Sequence, residues 1–158
     1  MITIPRFAMI LTIAGALTAQ TAFAEDNSIS GVFKGNGKEA KLAHITAIKG
    51  EPFADKPTIV LVMTEKDHSK EKHPDTLAGF GRFGSALIIT IHPDGKIVGC
   101  QVAHAAHQKS GFSAIGNLKS SDFKVENGVI SCKLSTDGEV KTFGETWEVK
   151  LELHAKAP

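Results

Sequence analysis

The sequence predicts an all-β fold, an antiparallel two-layer sandwich of about eight strands, placed behind an N-terminal export signal. Three observations carry this. Short apolar runs alternate with turn signals from Ile29 onward. Three hairpins can be read in which the turn residues and the inside–outside alternation agree. No internal repeat and no domain-splitting linker interrupts the pattern, so residues 25–158 form one domain. A closed antiparallel β-barrel with an interior cavity is the alternative, because the same strand pattern serves both.

The chain opens with a single basic residue, Arg6, and then an apolar run from Phe7 to Leu17. Eleven residues are too few to span a bilayer as a helix and suit the apolar region of a signal peptide. Small residues follow and end in Ala22-Phe23-Ala24, which provides small side chains one and three residues before a cut. Residues 1–24 are therefore expected to be removed, with periplasmic or extracellular residence and no membrane span after cleavage. The removed piece takes away one basic residue and no acid, leaving 17 Lys+Arg against 17 Asp+Glu. A balanced charge gives no pull toward phosphate backbones or anionic lipid, so nucleic acid is not an expected partner.

Glu25 to Ser30 is a polar lead-in. Ile29–Lys34 and Ala40–Ile48 read as strands, although their alternation is poor. Between them, Gly35-Asn-Gly-Lys38 lacks the strand–loop–helix setting and the Lys-Ser/Thr ending of a phosphate loop, and reads as a tight turn. Thr58–Thr64 is a strand opened by Pro57, apolar on both faces.

The next connection, Glu65–Gly84, is 20 residues long. Loops beyond about 12–15 residues are uncommon in compact domains and are often functional. Its first half interleaves acids and lysines, and Phe80 and Phe83 are expected to pin its second half to the domain.

Ala86–Ala103 is a hairpin turned by Pro93-Asp94-Gly95, which places Ile91 opposite Ile97 and, if the register holds, Ile88 opposite Cys100 and His104 opposite Gly84. Asp122–Leu134 is a hairpin turned by Asn127-Gly128. Its register predicts that Phe123, Val125, Ile130 and Cys132 share one buried face. A three-residue loop, Thr136-Asp137-Gly138, would set Leu134 against Val140, with a bulge at Gly144. The last strand, Trp147–His154, buries Trp147, Val149, Leu151 and Leu153.

Cys100 and Cys132 are the only cysteines. In an oxidising compartment the simplest expectation is one disulfide between them. Tyr is absent and Trp147 is the single Trp, which argues against a carbohydrate-binding surface built on aromatic rings.

The leading functional expectation is a small exported binding or interaction module, with a ligand or protein partner that the sequence does not name. The second is a periplasmic metal-binding domain. His104-Ala-Ala-His107 can present two imidazoles on one face of a turn, and the register brings this segment toward the long connection that carries His68 and His73. With Asp67 as an oxygen ligand, such a set would suit zinc or copper. The third is a small hydrolase with histidine as general base. No strained nucleophile turn is present to mark it. Protein recovered from its working compartment is expected to begin near Glu25. An exported form whose intact mass still contains Met1–Ala24 would contradict the cut.

Overall fold

In the computed structural model the described residues are 27–158. The expected signal peptide lies outside them. Eleven strands and one short helix follow in chain order. They are β1 (Ser28–Gly35), β2 (Lys38–Ala40), β3 (His44–Phe53), β4 (Lys56–Thr64), α1 (Pro74–Gly79), β5 (Ala86–Ile91), β6 (Ile97–Ala103), β7 (Phe112–Ser113), β8 (Lys119–Glu126), β9 (Val129–Ser135), β10 (Val140–Thr142) and β11 (Glu145–Lys156). The expectation of about eight strands falls short because β2, β7 and β10 are only two or three residues long.

The strands form two antiparallel sheets with no closed barrel, so the sandwich and not the barrel is the architecture. One sheet has the order β2-β1-β11-β9-β8, with β10 also on β11; the other is the meander β3-β4-β5-β6-β7. The chain changes sheets at residues 41–43. The single strand expected over Ala40–Ile48 is therefore two: Ala40 pairs with Phe33 in the first sheet and His44 with Thr64 in the second. A strand that leaves one sheet for another loses strict alternation, which is why this stretch reads poorly as sequence.

The main core lies between the sheets. Phe33, Trp147, Leu151 and Leu153 face Leu61, Met63, Leu87 and Ile89, all with 4% exposure or less. Residues of opposite parity on β4, β5 and β6 point the other way and are apolar too. Val60, Val62, Ala86, Ile88 and Ala103 form a second cluster, capped by Ala78 of α1 and by Phe83. The Glu65–Gly84 connection thus works as a cover over the outer face of the meander sheet. It is closed at its base by Glu65 N–H to Ser85 O (3.1 Å) and Lys66 N–H to Phe83 O (3.0 Å).

The hairpins test the register. Asn127-Gly128 turns with both φ positive, and Glu126 pairs with Val129, Val125 with Ile130 and Lys124 with Ser131, as the turn type dictates. The shared buried face does not follow. The register shifts between Ser121 and Lys124, so Phe123 has no place opposite Cys132, and Val125 is 48% exposed because β8 is the sheet edge. Phe123 instead lies against Gly95, and Ser120 Oγ donates to the Gly95 carbonyl at 2.6 Å, fastening β8 to the β5–β6 turn.

At that turn Ile91 pairs with Ile97 as expected. The register then slips by one, so Cys100 faces Ile89 and Gln101 faces Ile88. The position opposite His104 is accordingly Ser85 and not Gly84.

The third loop is the clearest correction. Leu134 lies opposite Leu151, not Val140, and Val140 pairs with Trp147 across a two-residue turn, Phe143-Gly144. Gly144 is therefore a turn residue and not a bulge. Thr136 fills the gap between β9 and β10 along the edge of β11. Its N–H donates to Val149 O, and its Oγ1 accepts from Val149 N–H, both at 3.0 Å.

The expected disulfide is absent: Cys100 and Cys132 are free thiols, 4% and 2% exposed, within the core. Each packs as a small apolar residue, and burial pushes each thiol up to about 12. At pH 8 the thiolate fraction is then on the order of one part in ten thousand. Native protein is expected to leave both thiols unmodified by a thiol reagent, and unfolded, unreduced protein to titrate two per chain. A titre of zero after unfolding would restore the bridge.

Candidate functional site

Two places stand out among the described residues, a junction of buried polar side chains and a groove with exposed apolar side chains at its rim. The first is the end of the sandwich where the β1–β2 turn, the β10–β11 turn and the His104–Ser110 connection meet. The Gly35-Asn-Gly-Lys38 segment is the tight turn expected of it, with Gly35 paired to Lys38. Asn36 ties the three pieces together. Its Nδ2 donates to Ala106 O (3.2 Å) and to Glu145 Oε2 (2.6 Å), and its Oδ1 accepts from Thr146 N–H (2.9 Å).

Glu145 Oε1 in turn accepts the N–H groups of Gln108 (3.1 Å) and Lys109 (2.9 Å). The Asn36 amide, then the Lys109 N–H, hold this carboxyl below the usual glutamate range, so it is ionised at neutral pH. Neither Asn36 nor Glu145 was singled out from sequence. The turn that carries Asn36 was recognised, but nothing local shows that its side chain reaches a segment 70 residues away.

His104 and His107 are brought together here, with ring centroids 5.2 Å apart and exposures of 3% and 7%. The hydrogen bonds fix both tautomers. Ala106 N–H donates to His104 Nδ1 at 3.1 Å, so in the neutral ring Nε2 carries the proton. His107 Nε2 lies 2.9 Å from Thr146 O and must donate to it, so in the neutral ring Nδ1 is the lone pair. His104 Nε2 and His107 Nδ1 are buried without a hydrogen-bond partner. Phe33 meets the His104 ring edge-on at 5.1 Å, and Phe112 lies 5.4 Å from the His107 ring. Gly35 permits the packing, since a Cβ there would sit 2.4 Å from His104 Cγ and 2.6 Å from His107 Nε2.

His68 is elsewhere, on the cover of the meander sheet, and 2% exposed. Thr64 Oγ1 donates to Lys66 O (2.7 Å), so it can only accept from His68 Nδ1 (2.6 Å). His68 Nε2 is then the lone pair that takes the Thr46 hydroxyl at 3.0 Å. The ring is held neutral, its pKa lowered first by burial and then by His44, against the pull of Asp67. Asp67 is exposed and accepts the Ser69 N–H at 2.8 Å. His73 is exposed at the start of α1 and makes no side-chain cap.

Among the described residues no three His, Cys, Asp or Glu side chains form a group that could hold a metal ion, so these four imidazoles and Asp67 do not share one centre. Among the described residues the one serine–histidine side-chain contact, Ser131 Oγ to His154 Nδ1 at 3.0 Å, lies on the outer face of the β1–β11–β9 sheet, with no described carboxylate bonded to that ring.

The second place is a groove of about 520 Å³ on the outer face of the meander sheet. Six residues of α1 span about 9 Å and cover only the Val62–Ala86–Ala103 part of that face. Beyond the buried Val60 and Ile88, the partly exposed Thr90, Gly99 and Gln101 form the floor of the uncovered part. Phe80, 85% exposed, and Ile115, 60% exposed, also line it. The chain packs closely around it: a Cβ at Gly111, where φ is +79°, would lie 2.6 Å from Gly79 O, and Gln101 Nε2 donates to Gly111 O at 3.3 Å.

Gly35→Ala is expected to destabilise the protein by about 2–4 kcal/mol, because the added methyl group overlaps both buried imidazoles. Chemical denaturation checks this, and a loss under about 0.5 kcal/mol would show the junction to be loosely packed. No protein-family model matches the chain, and no curated protein or solved structure matches it either.

Proposed function

We propose that the protein is an exported binding domain, working in the periplasm or outside the cell, whose ligand sits in the groove on the outer face of the meander sheet. The observation that carries this reading is the half-covered apolar face. A sheet that is apolar on both sides needs a cover, and here the cover stops short. Two large apolar side chains, Phe80 and Ile115, stand in solvent beside the gap. Exposed apolar surface at a concave site is the usual mark of a ligand or partner surface.

The lining sets the ligand class. Val60, Ile88, Phe80 and Ile115 favour an apolar body. The Thr90 and Thr76 hydroxyls and the Gln101 amide supply hydrogen bonds along one side. Asp75 is the only charged side chain among the lining residues, so a neutral or cationic group is preferred to an anion. A small amphipathic molecule or a short extended peptide meets these terms.

Screening such compounds against isotope-labelled protein by amide chemical shift is the direct test. Hits are expected to move the amides of Thr90, Gly99 and Gln101. Phe80→Ala and Ile115→Ala are each expected to weaken binding about tenfold, the equivalent of roughly 1–2 kcal/mol of lost apolar contact. Hits that leave the groove amides unmoved, or affinities unchanged in both variants, would overturn the assignment.

A further inference from the structure

The His104–His107 junction holds two buried imidazoles, and the neutral form of His104 is built into its hydrogen bonding. We infer that it is an acid-sensitive latch: adding a proton to His104 releases the His104–Ser110 connection from the β1–β2 turn. Nε2 of His104 already carries hydrogen, so the incoming proton must go to Nδ1. That atom is the acceptor for Ala106 N–H, and the bond is lost when Nδ1 becomes a donor. The new N–H points at the Ala106 N–H, 3.1 Å between the nitrogens, so two donors then face each other.

The surroundings decide the direction. His104 is faced from β1 by Phe33 and Gly35, which carry no charge. From β2 it meets the Lys38 carbonyl, and from the start of the long connection Glu65; both favour the protonated ring. From its own connection it meets His107, which opposes protonation. Glu145, from β11, lies beyond His107 and acts on that ring. Burial and the His107 neighbour prevail, and His104 is held below the ordinary histidine value. A histidine with its pKa lowered on folding contributes stability that is complete above about pH 6.5 and is lost as the pH falls through the folded value.

The release is local. Asn36, Glu145 and the backbone of Gln108 and Lys109 lie on the same joint, and the connection is tied to the meander sheet through Ala105 N–H to Ser85 Oγ (3.1 Å), one residue before β5. Residues 111–115 follow the connection directly and supply Gly111, Ser113 and Ile115 to the groove. On the groove reading proposed above, ligand affinity then falls over the same pH range.

The test reads the latch without any ligand, so its failure and the failure of the groove reading are told apart. The His104 ring is titrated by NMR in the wild-type protein between pH 7.5 and 4.5, and amide exchange is followed over the same range, corrected for its intrinsic pH dependence. Protection at Ala106 is expected to fall at least tenfold as His104 titrates, while Ile89 in β5 keeps its protection. His104→Gln, which can accept a hydrogen bond but cannot take a proton in this range, is expected to abolish the pH dependence at Ala106. Unchanged protection at Ala106 through the His104 titration would overturn the latch. So would an equal loss at Ile89, or a pH dependence that persists in the glutamine variant. The wild-type measurement stands whether or not the variant folds.

Discussion

The constraint on which this structure depends is that the middle strands of the meander sheet are apolar on both faces. Leu61, Met63, Leu87 and Ile89 bury against the opposite sheet, and their alternate neighbours Val62, Ala86, Ile88 and Ala103 would meet water if the chain left them bare. At about 25 cal/mol per Å² of apolar surface, leaving that second face open is costly for a domain this size. The long connection between β4 and β5 answers that cost. It is a third, partial layer rather than a free loop, and its limited length creates the groove. Fold and candidate site therefore have one cause.

Much of the fold was legible because turns fix registers. Asn127-Gly128 and Pro93-Asp94-Gly95 each placed their nearest strand pairs correctly, since the φ requirements of those residues leave few alternatives. What a turn cannot convey is how far its register persists. One irregularity beyond Ile97 displaced every later pair in the β5–β6 hairpin by one residue, and another near Phe123 shifted the pairing of Lys119–Ser121 with β9 by one. Edge position was equally invisible: Val125 has the residue type of a buried strand, and only the sheet order makes it exposed. The Thr136–Gly138 loop failed for a different reason. Its two flanking strands are not partners at all, and both pair with β11 instead.

The candidate site was harder to read than the fold. His104 and His107 were noticed for their spacing, and the structure does place them together. The groups that define their chemistry are Gly35, Asn36, Glu145 and Thr146, which lie far off in sequence. His68 looked like a loop residue within a charged stretch, but Thr46 and Thr64 draw it into the protein. Residue type suggests what a side chain can bond. Which bonds it makes depends on long-range pairing that no local pattern encodes. The cysteines show the same limit, since two buried thiols and one disulfide place the same residue type in the same core.

The pairing of β1 with β11 joins Ser28 to His154 and Gly35 to Trp147, and Lys156 N–H reaches back to Asn27 Oδ1 at 3.0 Å. The strand at the centre of that sheet is thus the last one in chain order. Neither β1 nor β9 can complete its ladder until β11 has arrived. The meander sheet, by contrast, is assembled from neighbours and can close early. Loop-closure entropy makes such a first-to-last contact slow, so the halves of the sandwich are set to form in sequence, the meander ahead of its partner. A chain cut short before β11 would therefore keep a meander sheet whose inner face, Leu61, Met63, Leu87 and Ile89, has no partner sheet to bury it.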